Sequence, residues 1–341
     1  MTLIRASKSQ QGLSLVELMI AMLLGVFLTG GLLQLFINTK QTYGTQESLF
    51  RLQENGRVAI DLITRDIRLA GFLGCREAVA GVKPAAFSDG VNPDISAPAE
   101  TNIIGGGDTV LNNWSATACS ASNQCIAGTD TIILRHADSC GGYLTADAPA
   151  LAGNMAISTT NSCGINVNDA LIISDCDSAN IFRATAVNTA KTSIGHGAFP
   201  AAYSMNSSEL FMYRDYSYYI RTGAGGGSSL WMLDNTKSTG GNNPVELVEG
   251  IENMQILYGV DTDAVDTANY GAANYYVTAA AVTDWTKIVS IRISLLAATI
   301  ENIASQSLLY SYNGATVTPP ANDRKIRRVF NATIAVRNRV P

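Results

Sequence analysis

The stretch Gly12–Asn38, GLSLVELMIAMLLGVFLTGGLLQLFIN, decides how this chain is organised. No charged side chain lies between Leu18 and Thr39, and most of these residues are aliphatic, Phe, Met, Ala or Gly. At about 1.5 Å per residue, a helix of this length spans the roughly 30 Å hydrocarbon core of a bilayer. The stretch therefore predicts a transmembrane helix, longer than the apolar core of an ordinary signal peptide.

Charged residues near the start of this stretch predict a functional carboxylate and the orientation of the helix in the membrane. Glu17 lies a few residues inside the apolar run, where an unpaired carboxylate is costly and usually functional. The leader before it, residues 1–12, carries Arg5 and Lys8 and no acid. Positive charge ahead of an apolar helix keeps that end in the cytoplasm, so the chain beyond Lys40 is expected outside the inner membrane.

The helix is expected to continue beyond the membrane as an amphipathic segment, residues 39–72. Apolar or small residues recur there at steps of three and four, which is the spacing of one helix face: Leu49, Leu52, Gly56, Ala59, Ile63, Ile67 and Ala70. Gly56 within this run indicates a bend or a close packing contact, and Gly71 and Gly74 are expected to end the helix.

The rest of the chain, residues 73–341, reads as a β-rich globular domain. Residues 76–128 are dense in Pro, Gly, Asn and Ser and predict mostly loop. Segments bounded by turn residues then predict strands: Thr131–His136, Ala170–Ser174, Ile181–Val187, Leu210–Arg221, Ser229–Leu233, Ile251–Val260, 288–295 and Lys325–Arg337. The segments 234–243 and 261–274 read as exposed loops. The predicted fold class is α+β, a long N-terminal helical spine packed on antiparallel sheet.

Composition excludes some classes of protein. Charged residues make up 15% and apolar residues 47% of the chain, which is typical of a folded protein and not of a disordered one. The net charge of −5 argues against a general nucleic-acid binder. No Ser or Cys beside the two histidines forms a recognisable hydrolase pattern, so no catalytic residue is predicted.

The cysteines predict disulfides. All six lie beyond the membrane segment, and an even number in an exported domain is typical of disulfide bonding, with 15 possible complete pairings. We favour Cys119–Cys125 as a local loop, Cys140–Cys163 across a hairpin, and Cys75–Cys176 joining the helix end to the sheet. Because no C-x-x-C pair occurs and only two histidines are present, neither a zinc site nor a cofactor is predicted.

Three further clusters each have a functional and a structural interpretation. Asp261, Asp263 and Asp266 could hold Ca²⁺ through oxygen ligands, but without a complete EF-hand pattern a solvated loop is favoured. Tyr216, Tyr218 and Tyr219 could form an adhesive patch, but packing within a strand is favoured. Basic residues near the C-terminus could bind DNA phosphates, whereas a solvent-facing strand edge is favoured: Arg324, Lys325, Arg327, Arg328, Arg337 and Arg339.

The leader and the residues after it resemble the processing site of type IV prepilins. The resemblance consists of a short basic leader, Gly12 at the cut site, an apolar run, and Glu17 five residues after the cut. Further stretches resemble the PilW family of minor pilins: Gln53–Arg57, Arg65–Phe72, Leu247–Glu252, Tyr258–Asp261, Asp323–Arg324 and Arg337–Arg339. Leu13 departs from the Phe with which members of the family most often begin the mature chain.

The resemblance implies a route of processing and assembly. Prepilin peptidase would cut between Gly12 and Leu13 and methylate the new amine of Leu13. Glu17 would then face the N-terminal amine of a neighbouring subunit in the fibre. The implied partners are prepilin peptidase, other minor pilins, the major pilin, the inner-membrane assembly platform and a tip adhesin. The implied location is the inner membrane, with a single pass and a cytoplasmic N-terminus, and then the pilus at the cell surface.

Two alternatives remain open. A minor pseudopilin of a type II secretion system would have the same leader and helix, although 247–252 and 337–339 favour the pilus. From a different class, a membrane-anchored periplasmic enzyme or binding domain would need a convergent catalytic or ligand-binding set of residues, and none is legible in the sequence.

Overall fold

The structure is a computed structural model that describes residues 14–74, 104–108, 125–237, 243–264 and 267–339, with backbone only for 104–108. The chain divides into two compact units, Met1–Phe50 and Arg51–Pro341. The boundary falls inside the long helix, so the second unit contains the C-terminal part of that helix together with the sheets. The boundaries expected from the sequence, at residues 12, 38 and 72, stay predictions.

Helix α1, Leu15–Leu69, is 55 residues long. Its C-terminal part buries the expected face, with Leu52, Ala59, Ile63 and Ile67 at most 3% exposed. The helix ends where Gly71 adopts a positive φ of 80°, a conformation that suits glycine. The chain then turns onto the first sheet, because the Gly71 N–H donates to Arg135 O at 2.9 Å.

The first sheet has seven antiparallel strands built around one long strand. Its strands are β1 (Ile104–Asp108), β2 (Asp130–Tyr143), β4 (Ala170–Ser174), β5 (Ala179–Arg183), β7 (Glu209–Thr222), β8 (Ser228–Asp234) and β9 (Val245–Glu249). One edge of β7 pairs with β2 along most of its length. The other edge pairs with β4 near the start of β7 and with β8 near its end, so β7 organises this sheet.

The second sheet has four antiparallel strands in the order β11-β10-β12-β15. Its strands are β10 (Ile251–Val260), β11 (Tyr275–Val277), β12 (Ile288–Ala298) and β15 (Arg327–Ala335). The remaining elements are two short ribbons and three 3-10 turns: β3 (Gly153–Ala156) with β6 (Ser193–His196), β13 (Tyr310–Tyr312) with β14 (Ala315–Val317), Ala279–Ala281, Trp285–Lys287 and Arg337–Arg339.

Side chains from both sheets connect the two sheets to each other. The Asp130 carboxylate accepts from the backbone N–H of Ile256 at 2.7 Å, on the edge of β10 that β11 leaves open. The amides of Asn253 and Gln255 donate to Gly128 O at 3.2 and 2.9 Å. These bonds satisfy backbone groups that would otherwise be left unpaired between two sheets.

The α+β class, the continuous helix and the antiparallel sheet predicted from the sequence are confirmed. The expectation of exposed loops at 234–243 and 261–274 is wrong at four positions, because Asp234, Thr236, Asn243 and Asp261 are each less than 9% exposed. Asp234 belongs to β8, and its backbone N–H bonds to the Asn243 side chain at 3.0 Å. Some polar residues that the sequence analysis assigned to exposed loops are therefore buried and form hydrogen bonds with one another.

Candidate assembly site

The first part of α1 presents an apolar surface with one carboxylate. Gly12 and Leu13, the expected processing residues, lie outside the described residues. Glu17 lies in the first turn of the helix, where a negative charge suits the helix dipole. Large apolar side chains around and beyond it are 47–75% exposed: Leu15, Val16, Leu18, Met19, Ile20, Met22, Leu23, Leu24, Val26, Phe27, Leu28, Leu32, Leu33, Leu35, Phe36 and Ile37.

Polar side chains within this apolar span are satisfied by the helix itself. The hydroxyl of Thr29 donates to Gly25 O at 2.7 Å, and that of Thr39 donates to Leu35 O at 2.8 Å. Gln34 donates to Asn38 at 3.0 Å, also one turn away. Such bonds make polar groups tolerable in lipid. In the described part of the chain nothing comparable pairs Glu17, whose charge therefore calls for a partner from outside.

The helix is long and apolar enough to cross a membrane, and it is the single helix of this kind among the described residues. None of its most hydrophobic window is buried within the chain. Burial of this surface therefore has to come from lipid or from other polypeptides. The apolar part of α1 accordingly fits membrane anchoring.

In the second unit, the motifs that suggested the family resemblance lie against one another. Asn55, from Gln53–Arg57, donates to Glu249 O at 3.0 Å, within Leu247–Glu252. Gly56 packs against Phe330 of β15 so closely that a Cβ atom would lie 2.2 Å from the Phe330 ring. These motifs thus fasten the helix to β9 of the first sheet and to β15 of the second, and of the two expectations for Gly56 the close packing contact is observed.

A buried ion-pair cluster accounts for two more motif residues. Arg327 donates to both oxygens of Glu252, at 2.6 and 3.0 Å, and to Asp323 at 2.6 Å. Its side chain is 6% exposed and its guanidinium lies 4.9 Å from the centre of the Tyr310 ring. Although burial alone would lower its pKa, the two carboxylates raise the pKa of Arg327 above its usual value.

This cluster removes Arg327 from the basic group that could contact phosphates. Arg324, Arg328 and Arg337 are exposed, Lys325 is half-buried, and the side chain of Arg339 is outside the described set. The exposed members flank or lie on β15, as expected for a solvent-facing strand edge. The structural interpretation of this cluster is therefore favoured over DNA contact.

Two contacts near the end of α1 were not foreseen from the sequence. Asp66 is 6% exposed and accepts a hydrogen bond from the Tyr218 hydroxyl of β7. The Asn338 side chain lies 3.1 Å from Ala70 O and within 3.4 Å of the carbonyls of Arg68 and Leu69, so it caps the helix C-terminus. A sequence signal existed for Asp66, because it lies three residues after Ile63 and four before Ala70.

The tyrosines of β7 pack in the core. Tyr218 and Tyr219 are at most 2% exposed, and Tyr216 is half-buried. Burial raises the pKa of Tyr216 to about 12 and, together with Asp66, raises the pKa of Tyr218 still further. The packing interpretation of these residues is confirmed.

The aspartate loop 261–264 is held by its own hydrogen bonds. One Asp261 oxygen accepts from the Asp263 N–H at 2.8 Å and the other from the Gly271 N–H at 2.7 Å. The Asn274 amide donates to Asp263 at 3.1 Å. Asp266 lies outside the described residues. Among the residues the structure covers, no group of three or more His, Cys, Asp or Glu is arranged to hold a metal ion.

One of the favoured disulfides is visible. Cys140 and Cys163 are bonded, with their Cα atoms 4.8 Å apart. The bond ties the irregular part of β2, at 139–142, to the loop before β4. Cys125 and Cys176 are also disulfide-bonded. Since Cys75 and Cys119 lie outside the described residues, the pairings Cys119–Cys125 and Cys75–Cys176 stay predictions.

Both histidines are buried in the second unit. His136 on β2 and His196 on β6 are each 2% exposed, and burial lowers the pKa of each. The Nδ1–H of His196 donates to Gly197 O at 2.7 Å, and the ring stacks on Phe199 with centroids 4.3 Å apart. Neither imidazole bonds a serine or cysteine within the described set, so neither is placed as a catalytic base.

Comparisons with known proteins match both ends of the chain. Residues 217–338 match the family described as type IV pilus-assembly protein W, PilW. Residues 7–33 match the prokaryotic N-terminal methylation motif. No curated protein matches the chain.

Among solved structures, the chain is similar to a type IV-like pilin, TTHA1219 from Thermus thermophilus. The identity is 12%, the match covers 38% of this chain and 70% of that one, and the TM-score is 0.22. The PilW match contains β10, β12 and β15 with the Arg327 cluster, and the methylation motif contains Glu17 and most of the apolar span. The methylation motif at 7–33 and the PilW match at 217–338 together indicate a type IV pilus minor pilin.

Proposed function

We propose that this minor pilin is cut by prepilin peptidase between Gly12 and Leu13, methylated on Leu13, and used to initiate assembly of the pilus fibre. In this proposal the single-pass helix has its N-terminus in the cytoplasm before it is extracted into the fibre. Other minor pilins, the major pilin and the inner-membrane assembly platform are its partners, and a tip adhesin could join them. Its role is structural, in fibre biogenesis, adhesion and twitching motility.

The observation that supports this proposal most is that the apolar part of α1 is exposed and contains one carboxylate, Glu17, which has no partner among the described residues. In a fibre the apolar side chains would be buried by neighbouring helices, and Glu17 would then lose its contact with water. A buried charge of this kind is tolerated when an opposite charge meets it, and the methylated amine of a neighbouring Leu13 supplies one. The pair would select register and partner because an unpaired arrangement is costly.

The processing step is tested by Gly12→Val. Gly12 leaves room for a close approach of backbone to the peptidase, and a branched side chain would obstruct it. An immunoblot of full-length protein is expected to show the uncut precursor, with Gly25→Val as the control because that glycine lies well beyond the cut. Normal maturation of Gly12→Val would contradict the processing proposal.

The assembly step is tested by Glu17→Ala. The variant is expected to mature normally and yet to give far fewer pili in electron micrographs. Glu54→Ala is the matched control, since it removes an exposed carboxylate from the same helix outside the apolar span. Wild-type piliation of Glu17→Ala would count against the ion pair.

A third experiment distinguishes a protein that initiates assembly from one that is an essential structural part of the fibre. The gene is deleted, and pili are counted with retraction active and with retraction blocked. If the protein initiates assembly, pili return when retraction is blocked. A pseudopilin role in a type II secretion system is the second candidate. The PilW match over 217–338 supports the pilus, and loss of secretion instead of pili in the deletion strain would support the alternative.

A further inference from the structure

Strand β15 is the outermost strand of the second sheet, and no strand in the described part of the chain pairs with its outer edge. It pairs with β12 over nine residue pairs, from Arg327 to Ala335. Among the described residues, neither another strand nor a loop bonds the outward backbone groups of these residues. The second sheet therefore ends in an open row of backbone donors and acceptors.

The ladder identifies which groups face outward. At one end the Val336 N–H donates to Val289 O, and at the other the Thr299 N–H donates to Ile326 O, both at 2.9 Å. Antiparallel pairing alternates residues that bond the partner strand with residues that do not. Even-numbered residues of β15 therefore bond β12, and the N–H and C=O groups of Val329, Asn331, Thr333 and Ala335 point away from the sheet.

Apart from the exposed Arg328, this edge lacks the features that usually prevent strand addition. It pairs with β12 without a bulge, it contains no proline, and Asn331, Thr333 and Ala335 are exposed. Other edges of the described sheets are short or covered: β11 has three residues, and four of the five residues of β5 are buried. A long, regular, open edge in a stable protein is a template for another strand.

The charges along the edge indicate the chemistry of that strand. Arg328 on β15 is exposed, and Arg324 and Arg337 are exposed just before and after the strand. Arg292 of β12 is also exposed, but its guanidinium lies 4.0 Å from the centre of the Tyr276 ring of β11, so it is not counted with this edge. In a chain of net charge −5, a basic edge favours a partner segment that carries acidic residues.

We propose that the outer edge of β15 binds an extended segment with acidic flanks from a different pilin subunit, which adds as a fifth strand. This inference rests on the proposed function, because it assumes that the neighbours are pilins. Backbone hydrogen bonds to the odd-numbered residues supply the attachment, and the arginines favour an acidic sequence. The site is distinct from the apolar helix, so each subunit contact can be tested separately.

The partner is tested by photo-crosslinking in the full-length chain, expressed in cells that assemble pili. A photo-reactive residue at Thr333 is expected to form an adduct with another pilin. The same residue at Thr316, an exposed threonine of β14, is the control for non-specific capture. Equal capture at both positions, a dimer of this chain, or an adduct that is not a pilin would overturn the proposal.

Proline substitutions test the edge hydrogen bonds. Thr333→Pro removes an outward N–H and is expected to leave folding, cleavage and membrane anchoring intact, since proline is tolerated on the open side of an edge strand. Crosslinking of the Thr333→Pro variant is measured from a second photo-reactive position, Ala335. The yield of the adduct should fall about fivefold, because one lost backbone hydrogen bond weakens binding by about that factor. Thr333→Val keeps the N–H and should behave like wild type.

Two further results separate the possible failures. Ala332→Pro removes a bond to β12 and is expected to destabilise the protein, which confirms the assignment of odd and even residues. If Thr333→Pro is captured and piliates like wild type while Glu17→Ala fails to assemble, the strand-addition proposal is wrong and the proposed function stands. If neither variant affects pili, both proposals fail.

Discussion

At the scale of single residues, Asp66 shows how one buried carboxylate fastens a helix to a sheet. Its side chain is 6% exposed, and Tyr218 is 2% exposed and lies 152 positions further along the chain. Burial and the neighbouring Asp66 raise the pKa of Tyr218, so the hydroxyl remains a donor at any physiological pH. Without that donor, a charge would be left in the interior with one partner fewer.

We predict that Tyr218→Phe destabilises the second unit by ~1.5–3 kcal/mol, the usual range for a hydrogen bond to a charged group. The measurement is urea unfolding of the full-length protein in detergent. Tyr275→Phe is the matched control, because Tyr275 is 48% exposed and on a short edge strand.

A double-mutant cycle with Asp66→Asn isolates the contact. If the Asp66–Tyr218 bond is responsible, Tyr218→Phe costs clearly less in the Asp66→Asn background than in wild type. Equal costs in the two backgrounds would mean that the ring packing, and not the hydrogen bond, carries the effect.

At the scale of elements, the packing of α1 against β15 depends on an absent side chain. Gly56 costs the helix about 1 kcal/mol relative to alanine. The structure explains this cost, because Phe330 lies where a Cβ would be. The helix has two further contacts beside this one: Asn55 donates to Glu249 O in β9 of the first sheet, and Asn338, just after β15, donates to Ala70 O.

We therefore predict that Gly56→Ala lowers the free energy of unfolding, by ~1–2 kcal/mol, even though alanine favours helix. Overpacking usually costs ~1–3 kcal/mol, which outweighs the gain in helix propensity. Gly44→Ala is the matched control in the same helix, since nothing lies within 4 Å of its Cβ position. Thermal unfolding of the full-length protein measures both.

Phe330→Leu in the Gly56→Ala background should restore part of the lost stability, because a smaller side chain makes room for the new methyl group. A Gly56→Ala protein as stable as the Gly44→Ala protein would show that Phe330 moves aside at little cost.

At the scale of the whole molecule, the two histidines make stability depend on pH. Both are buried, and burial is the main cause of their lowered pKa values. Asp66 and Asp138 oppose this shift at His136, whereas Arg214 and Arg65 add to it. His196 has its Nδ1 bonded to Gly197 O and its Nε2 without a partner, so protonation would create a buried N–H with no acceptor.

The sign of the dependence follows from proton binding. The unfolded chain binds protons at its histidines below about pH 6.5, whereas the folded chain resists protonation until a lower pH. The stability that the two neutral histidines contribute is thus fully present above about pH 6.5. It declines as the pH falls below this value, by at most ~1.4 kcal/mol per histidine per pH unit.

We predict that the unfolding temperature of the full-length protein falls between pH 7 and pH 5. The slope should be smaller in His136→Gln and in His196→Gln, whatever their stability at pH 7. Because the variants and wild type have the same carboxylates, the contribution of these groups to the slope cancels when the slopes are compared. Identical slopes in wild type and both variants would show that other groups control the pH dependence.

The sequence alone determined the features that follow from local patterns. An uncharged run long enough to cross a bilayer predicted the apolar part of α1. Apolar residues at every third or fourth position predicted the buried face of its C-terminal part. The alternation of 288–295 likewise predicted β12. Such patterns can be interpreted from sequence because each depends on a single helix or strand and on whether its faces contact lipid, water or the protein core.

Only the tertiary structure decided which polar residues are buried and which backbone groups stay open. Asp66, Arg327 and Asn338 look like surface residues in sequence, yet each satisfies a group 75–270 positions away. The open edge of β15 is equally invisible in sequence, because it depends on which strands lie beside it. Burial and pairing are properties of chain packing, and no local pattern encodes contacts between residues so far apart.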